Sequence, residues 1–250
     1  MGRLDGMVAI VTGGGQGVGF GIAHALADEG AKLVLTGRVK DKLEGKADRL
    51  RQQGAEVVTC EGDVRDRSAA KAAVAAALEA FGRVDIVVNN AQSMPTHVPL
   101  DQQTDEMLES VIDSGLFGSI YFMQEAFEAL SKQGGAIINM GSLMGTNGSE
   151  NTAAYAAAKE GIRGISRVAA RDWGKHGIKV NTICPGAKSE NFMEFFEKFP
   201  EELPKYENAL VLKRFAECYE DVGALAVYLA SPDCFITGQT LHCDGGQIMP

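Results

Sequence analysis

The sequence predicts an α/β protein, a single domain built on a doubly wound, seven-stranded parallel sheet with helices on both faces. Three observations carry that expectation. Short β-branched or apolar runs alternate with long amphipathic stretches along all 250 residues, which is the sequence form of repeated βα units. A glycine-rich turn, Gly13-Gly14-Gly15-Gln16-Gly17-Val18-Gly19, joins the first apolar run to the first amphipathic stretch. No internal repeat and no Pro-, Gly- or Ser-rich linker divides the chain, and α/β folds of this size commonly remain one domain.

Taken in order, the first strand is expected at 8–11, followed by the glycine turn and a helix at 19–29. A strand at 32–35 leads to a helix at 41–53, and a strand at 56–59 to a helix at 68–81. The Ala-rich run within 69–80 is ordinary amphipathic helix, because Val74, Leu78 and Phe81 mark one apolar face at helical spacing. Strands at 86–88 and 136–139 flank a long helix at 104–130, and a helix at 153–176 precedes the sixth strand at 179–182. A helix at 219–230 and a seventh strand at 240–242 complete the expected alternation.

With 45% hydrophobic residues the chain can bury one large core. A net charge of −9 opposes a duplex-binding surface, so no nucleic-acid partner is expected, and a soluble cytoplasmic protein is. Five scattered cysteines without a Cys-x-x-Cys pair imply no disulfide framework and a reducing compartment. The opening Met1-Gly2-Arg3-Leu4-Asp5-Gly6 lacks the apolar core of a signal peptide. No segment approaches the length of an uncharged membrane span, so no membrane association is expected. The histidines at 24, 97, 176 and 242 have no ligand at metal spacing, and no metal is expected. No Gly-x-Ser-x-Gly elbow surrounds Ser142, which speaks against a serine nucleophile.

Chemistry is concentrated at Tyr155 and Lys159. Of the tyrosines at 121, 155, 206, 219 and 228, only Tyr155 has a Lys four residues on, in a stretch that reads as helix, so both side chains project from one face. An ammonium beside a phenol favours the phenolate and suits the pair to proton exchange near neutral pH. The bland alternative is a chance pair on a helix surface. At the glycine turn, strand, glycines and helix occur in the order that lets a backbone approach a pyrophosphate, whose charge the helix N-terminus stabilises. A purely structural turn is the alternative there.

The pattern Thr12-Gly13-x-x-x-Gly17-x-Gly19 with Tyr155-x-x-x-Lys159 resembles the short-chain dehydrogenase/reductase family. Asn89-Asn90-Ala91, Ser142 thirteen positions before Tyr155, Pro185-Gly186 and Asp244-Gly245-Gly246 match the same family's markers in order, over nearly the whole chain. The resemblance implies a Rossmann-type fold, a nicotinamide cofactor and hydride transfer to or from a carbon bearing oxygen. It assigns Tyr155 as acid/base. Lys159 would depress its pKa and reach the nicotinamide ribose, and Ser142 would hydrogen-bond the substrate oxygen. Cofactor contacts carried over are Gly13, Gly15, Gln16, Gly17, Val18, Gly19, Asn90, Ala91, Pro185 and Gly186, with Tyr155 and Lys159 themselves. Asp63-Val64 resembles the adenine-contacting pair, although an Asp in a βα turn is common for structural reasons.

The choice of nicotinamide is read after the second strand, where an acid would bond the ribose 2′-hydroxyl of NAD and repel a 2′-phosphate. Thr36-Gly37-Arg38 puts Gly37 in the acid's place, and Arg38 offers a guanidinium suited to phosphate, with Lys40 and Lys42 nearby. The expectation is NADP(H). A solvated loop cation is the alternative for Arg38, and Gln16 counts against NADP because many NADP-using relatives carry a base there.

Three residues depart from the family pattern: Gly115 where an Asn usually completes a water relay to the lysine, Gln92 in place of a Gly after Asn89-Asn90-Ala91, and Glu190 in place of a Thr that contacts the nicotinamide. Ser114 or water alone would then serve the relay. A substrate-covering segment is expected at 187–213, where Phe192, Met193, Phe195, Phe196 and Phe199 suggest an apolar lid. That favours a bulky ketone or secondary alcohol such as a steroid or cyclic ketone, unless the stripe is a packed helix or subunit contact. Met94 and His97 are further candidates for the pocket. The resemblance implies a homotetramer or homodimer. Two other functions remain open from the sequence: a 3-oxoacyl-thioester reductase, and a nucleotide-binding regulatory protein with weakened catalysis.

Overall fold

Val8, Ala9, Ile10 and Val11 are apolar on both sides of the strand, and a strand of that kind is stable only where both faces are covered. In the computed structural model, which describes residues 2–93 and 97–249, they lie at the centre of the sheet with no residual exposure. The order along the chain is β1 (Val8–Thr12), α1 (Gly17–Asp28), β2 (Lys32–Gly37), α2 (Lys40–Gln52), β3 (Val57–Glu61), α3 (Arg67–Phe81) and β4 (Ile86–Asn89). Then follow α4 (Asp105–Ile112), α5 (Gly118–Leu130), β5 (Gly135–Met140), α6 (Leu143–Asn147), α7 (Ala153–Trp173) and β6 (Ile178–Pro185). The chain finishes with α8 (Glu190–Lys198), α9 (Leu203–Ala209), α10 (Ala224–Ala230) and β7 (Thr240–Cys243).

The seven strands are all parallel in the order β3-β2-β1-β4-β5-β6-β7, the expected Rossmann-type doubly wound sheet. The direction of winding reverses between β1 and β4, and the crevice beyond their carboxyl ends is where such sheets bind ligands. Alternation along the strands divides the core. Val8, Ile10, Val34 and Ile137 face α3, α5 and α7, whereas Ala9, Val11, Leu33 and Leu35 face α1, α2 and α10. Each fully buried Leu or Ile there contributes about 1.5–3 kcal/mol of hydrophobic stabilisation.

The long helix expected at 104–130 is two helices. A π-helical turn, Asp113–Phe117, separates α4 from α5. The extra residue per turn rotates the apolar stripe, so that α4 sets Leu108, Val111 and Ile112 against Ala154 and Ala158 of α7 while α5 packs its Phe122, Met123 and Ala126 into the core with α3. Gly118 follows the turn where a Cβ would stand 3.0 Å from the Val64 carbonyl. The helix expected at 219–230 likewise opens with a π turn, Cys218–Gly223, and the one expected at 153–176 ends at Trp173 in a short 3-10 turn. Among the described residues no helix is long and apolar enough to cross a membrane.

Candidate active site

The glycine turn after β1 is held by a residue that the sequence reading left outside the site. Thr12 Oγ1 accepts the N–H groups of Asn90 and Ala91, each at 2.9 Å, and donates to Val88 O at 3.3 Å, so one hydroxyl clasps the ends of β1 and β4 together. Asn90 Nδ2 returns a bond to Thr12 O at 3.0 Å. Gly13 and Gly17 adopt φ of +64° and +51°, which side chains disfavour. A Cβ on Gly19 would meet the Asn90 amide and stand 2.5 Å from Gly13 O, so Gly19 supports the turn from beneath. Gln16 caps α1 without a side-chain bond, and no acidic residue lies in the first turn, which leaves the helix N-terminus suited to an anion.

A cavity of about 400 Å³ opens at this turn. Its lining includes Gly13, Gly15, Gln16, Gly17, Val18, Arg38, Asp63, Val64, Asn90 and Ala91, so the structure brings these sequence-derived candidates together. Arg38 is exposed and makes no ion pair among the described residues. The nearest atoms to a Cβ on Gly37 would be those of the Leu43 side chain, at 3.4 Å and beyond, and Lys42 Nζ donates to Gln16 Oε1 at 3.3 Å, bringing an ammonium to the position where Gln16 had counted against a phosphate. Asp63 is turned onto Arg65, with Oδ2 2.6 Å from Nη2, and that hydrogen bond holds its carboxyl below the usual range. Backbone donors, the exposed Arg38 guanidinium and the bare glycine turn fit a dinucleotide. Ser189 and Glu190 also line the cavity, and Glu190 lies 3.4 Å from Lys46 Nζ.

Ser142, Tyr155 and Lys159 meet beyond the carboxyl end of β5. Ser142 starts α6, its Oγ accepting the Met144 N–H at 3.1 Å, and its side chain lies beside that of Tyr155. Burial pushes the Tyr155 phenol above its ordinary pKa, the neighbouring Ser142 hydroxyl opposes the rise, and Cys184 adds to it. The depression expected from Lys159 is therefore not found, because burial of the phenol outweighs the influences that would lower it. Lys159 is 4% exposed, its Nζ donates to Met140 O at 2.8 Å, and it lies 5.3 Å from the centre of the Tyr155 ring. Desolvation without a carboxylate partner lowers its pKa to about 8. Cys184, buried behind the group, is pushed up to about 11 by the same desolvation.

Pro185 closes β6 and Gly186 follows, where a Cβ would stand 3.0 Å from Asp244 Cα; neither lines the cavity. His97 is exposed, and Met94 lies outside the described residues. The aromatic lid is only partly as expected. Phe196 is buried with Phe215 and Leu210, and Met193 and Leu203 pack on them, so these side chains hold α8 and α9 to each other. Phe192 joins by its edge, with ring centres 5.2 Å from Phe196 and 4.9 Å from Phe215, and Phe199 is exposed. The side chain of Phe195 lies outside what the structure describes. Two backbone bonds, Lys188 N–H to Ala216 O and Ala216 N–H to Gly186 O, each 2.9 Å, close the base of the segment.

The profile of the family described as "Enoyl-(Acyl carrier protein) reductase" matches residues 13–247. The 12alpha-hydroxysteroid dehydrogenase of Clostridium sp. is 41% identical over 254 residues, covering 98% of both chains. The chain belongs to the short-chain dehydrogenase/reductase family. A second short-chain relative, levodione reductase of Leifsonia aquatica, is 32% identical over 256 residues, covering 98% of this chain and 95% of its own. The crystal structure of L-sorbose reductase from Gluconobacter frateurii, complexed with NADPH and L-sorbose, superposes with a TM-score of 0.93 at 26% identity, covering 100% of this chain and 99% of that one. As a short-chain dehydrogenase/reductase, the protein is an oxidoreductase of CH–OH groups whose family cofactor is a nicotinamide dinucleotide.

Proposed function

We propose that this enzyme interconverts a ketone and a secondary alcohol with NADP(H), on a bulky, mostly apolar substrate such as a steroid or cyclic ketone. The observation that carries the reading is the grouping of Ser142 and Tyr155 with Lys159 buried against the phenol ring, in a chain whose glycine turn opens a cavity suited to a dinucleotide. When bound, the cofactor supplies or accepts the hydride. Tyr155 gives its hydroxyl proton to the substrate oxygen in reduction and takes it back in oxidation, and Ser142 orients that oxygen. Lys159 supports the phenolate as it forms and holds the cofactor ribose.

Arg38, unpaired at the cavity mouth, and Lys42 beside Gln16 support NADP(H) over NAD(H). Asp63, Val64, Asn90, Ala91, Pro185 and Gly186 are proposed to complete the cofactor contacts. The names of the Clostridium and Leifsonia relatives support a steroid or cyclic ketone, with residues 187–213 covering it. We read the chain as one catalytic domain acting in the cytoplasm as a homotetramer or homodimer. A 3-oxoacyl-thioester reductase is the second reading, favoured by the description of the matching family profile, whereas the net charge of −9 disfavours an acidic carrier protein.

The test is oxidation of NADPH and of NADH with a 12-keto steroid, a cyclic diketone, a 3-oxoacyl thioester and a ketose, with Tyr155→Phe alongside. NADPH-specific turnover of the steroid or cyclic ketone, lost in the variant, is expected. Equal use of NADH would overturn the cofactor assignment, and turnover of the thioester alone would transfer the function to the second reading. An inert panel with NADPH still bound would favour a regulatory protein.

A further inference from the structure

The helix that carries Tyr155 begins without a cap of its own. Thr152 is the N-cap residue of α7, but its hydroxyl donates backwards to Ser149 O at 2.7 Å and bonds nothing in the first turn. The first N–H groups of a helix have no acceptor within it, and that of Ala154, one residue before Tyr155, is among them. It donates to Gln103 Oε1 at 3.1 Å, on a side chain 51 positions earlier in the sequence. Gln103 therefore supplies the cap that Thr152 withholds.

The same carboxamide makes a second bond. Gln103 Nε2 donates to Val98 O at 3.0 Å, and Val98 N–H donates to Asn151 O at 3.1 Å, so the connection from β4 to α4 is fastened to the turn that leads into α7. Asn151 holds φ at +62°, a left-handed conformation that asparagine adopts more readily than most residues. The other end of the connection belongs to the cavity, which Asn90, Ala91, Gln92 and Ser93 line. That end is held separately. Thr12 clasps Asn90 and Ala91, Ser93 N–H donates to Ser114 Oγ at 3.0 Å, and the Gln92 carboxamide fills the space over Gly115, where a Cβ would stand 2.6 Å from Nε2. Directly after Gln103, α4 sets Leu108, Val111 and Ile112 against Ala154, Ala158 and Tyr155. Apolar contact is non-directional, so the bond to Ala154 is what fixes the height of the first turn of α7 against α4.

We propose that Gln103 is a positioning residue for Tyr155, its carboxamide oxygen fixing the first turn of α7 and its nitrogen tying the β4–α4 connection to that turn. The two atoms act on different quantities. The oxygen sets where the phenol stands, and so kcat. The nitrogen sets where the connection stands against α7, and so KM for the ketone that meets Tyr155. Binding of the cofactor is left alone, because Thr12 and Ser114 hold the cavity end of the connection without help from Gln103. The inference rests on the proposed role of Tyr155.

The experiment compares wild type, Gln103→Met, Gln103→Glu and Tyr155→Phe with NADPH and a 12-keto steroid, adding NADPH affinity by calorimetry and hydrogen–deuterium exchange of the cofactor-free protein. Met keeps the length of the side chain and neither bond. Glu still accepts the Ala154 N–H, and its charge suits a helix N-terminus, but at neutral pH it has no proton for Val98 O. Gln103→Met should lower kcat about tenfold and raise KM several-fold, since small displacements of a reacting group are costly. Its NADPH affinity should stay at the wild-type value, and exchange should quicken at both 97–104 and 153–157. Gln103→Glu should regain most of kcat, keep the raised KM, and quicken exchange at 97–104 alone. Unchanged kcat and KM in Gln103→Met, even with a lower Tm, would overturn the proposal, as would equal loss of kcat in both variants or a normal KM in Gln103→Glu. If Gln103→Met does not fold, the KM and exchange pattern of Gln103→Glu carry the test, and if the steroid is not turned over, unchanged exchange at 153–157 in Gln103→Met overturns it. Normal turnover by Tyr155→Phe would instead overturn the underlying reading; loss there with a normal Gln103→Met defeats only this inference.

Discussion

Lys159 carries its charge into the interior without a carboxylate to meet it, and its pKa falls to about 8 from 10.5. Between those values the unfolded chain binds more protons than the folded one, so the Lys159 contribution to stability rises with pH across that window and is most unfavourable below pH 8. The penalty is on the order of 3 kcal/mol. Lys159→Met should therefore unfold at a higher temperature than wild type at pH 7 while losing turnover, and its advantage should shrink from pH 7 to pH 9 in thermal scans. Cys184 acts with the opposite sign: its folded pKa is raised from 9.0 to about 11, so its contribution falls as pH rises across that range. Scans kept below pH 9 separate the two. Arg38 has no such internal cost, being exposed. Arg38→Asp should weaken NADPH by about 1.5–3 kcal/mol, the worth of hydrogen bonds to a charged group, and leave NADH binding intact; a fluorescence titration with each cofactor checks it.

Elements defined by burial on both faces were legible in the sequence, and elements defined by register were not. Val8–Thr12 and its parallel neighbours announce themselves as apolar runs, but the π turns at Asp113–Phe117 and Cys218–Gly223 add a single residue to a helix whose composition stays helical. The short α6, α8 and α9 carry too few turns for periodicity to declare them. Ser142, Tyr155 and Lys159 could be named as candidates because helical spacing and chain order are one-dimensional facts. The fit of Gln92 over Gly115 was not, because it joins two loops distant in sequence, and the Thr12 clasp was hidden for the same reason. Glycines at helix contacts are a related case. A Cβ on Gly21 would stand 2.5 Å from the Cys218 carbonyl carbon, and one on Gly223 2.6 Å from Ala25 Cβ, so α1 seats directly on the second π turn. Gly21→Ala should force these elements apart and cost about 1–3 kcal/mol, the usual range for overpacking, read as a lower urea midpoint at unchanged slope.

Across the whole molecule, an acidic chain gathers basic side chains at one place. Arg49, Lys42 and Lys46 surround the outer rim of the cavity that Arg38 lines, within a protein of net charge −9. Binding of the anionic cofactor should therefore weaken as salt rises, since the rim attracts through solvent over a distance comparable with the screening length of about 10 Å at 0.1 M. Glu190, at the start of α8, works against that field. Glu190→Gln should tighten NADPH several-fold at low salt and less at high salt, measured by calorimetry at two ionic strengths. The backbone pair that joins Gly186 and Lys188 to Ala216 gives the segment it encloses a further property. Because its two ends are fastened to each other at a fixed neck, the intervening residues form a cassette whose replacement leaves the boundary conditions of the sheet unchanged, and changing its length costs only a slowly growing closure entropy. The cassette can therefore be exchanged without disturbing the sheet that carries the candidate catalytic residues.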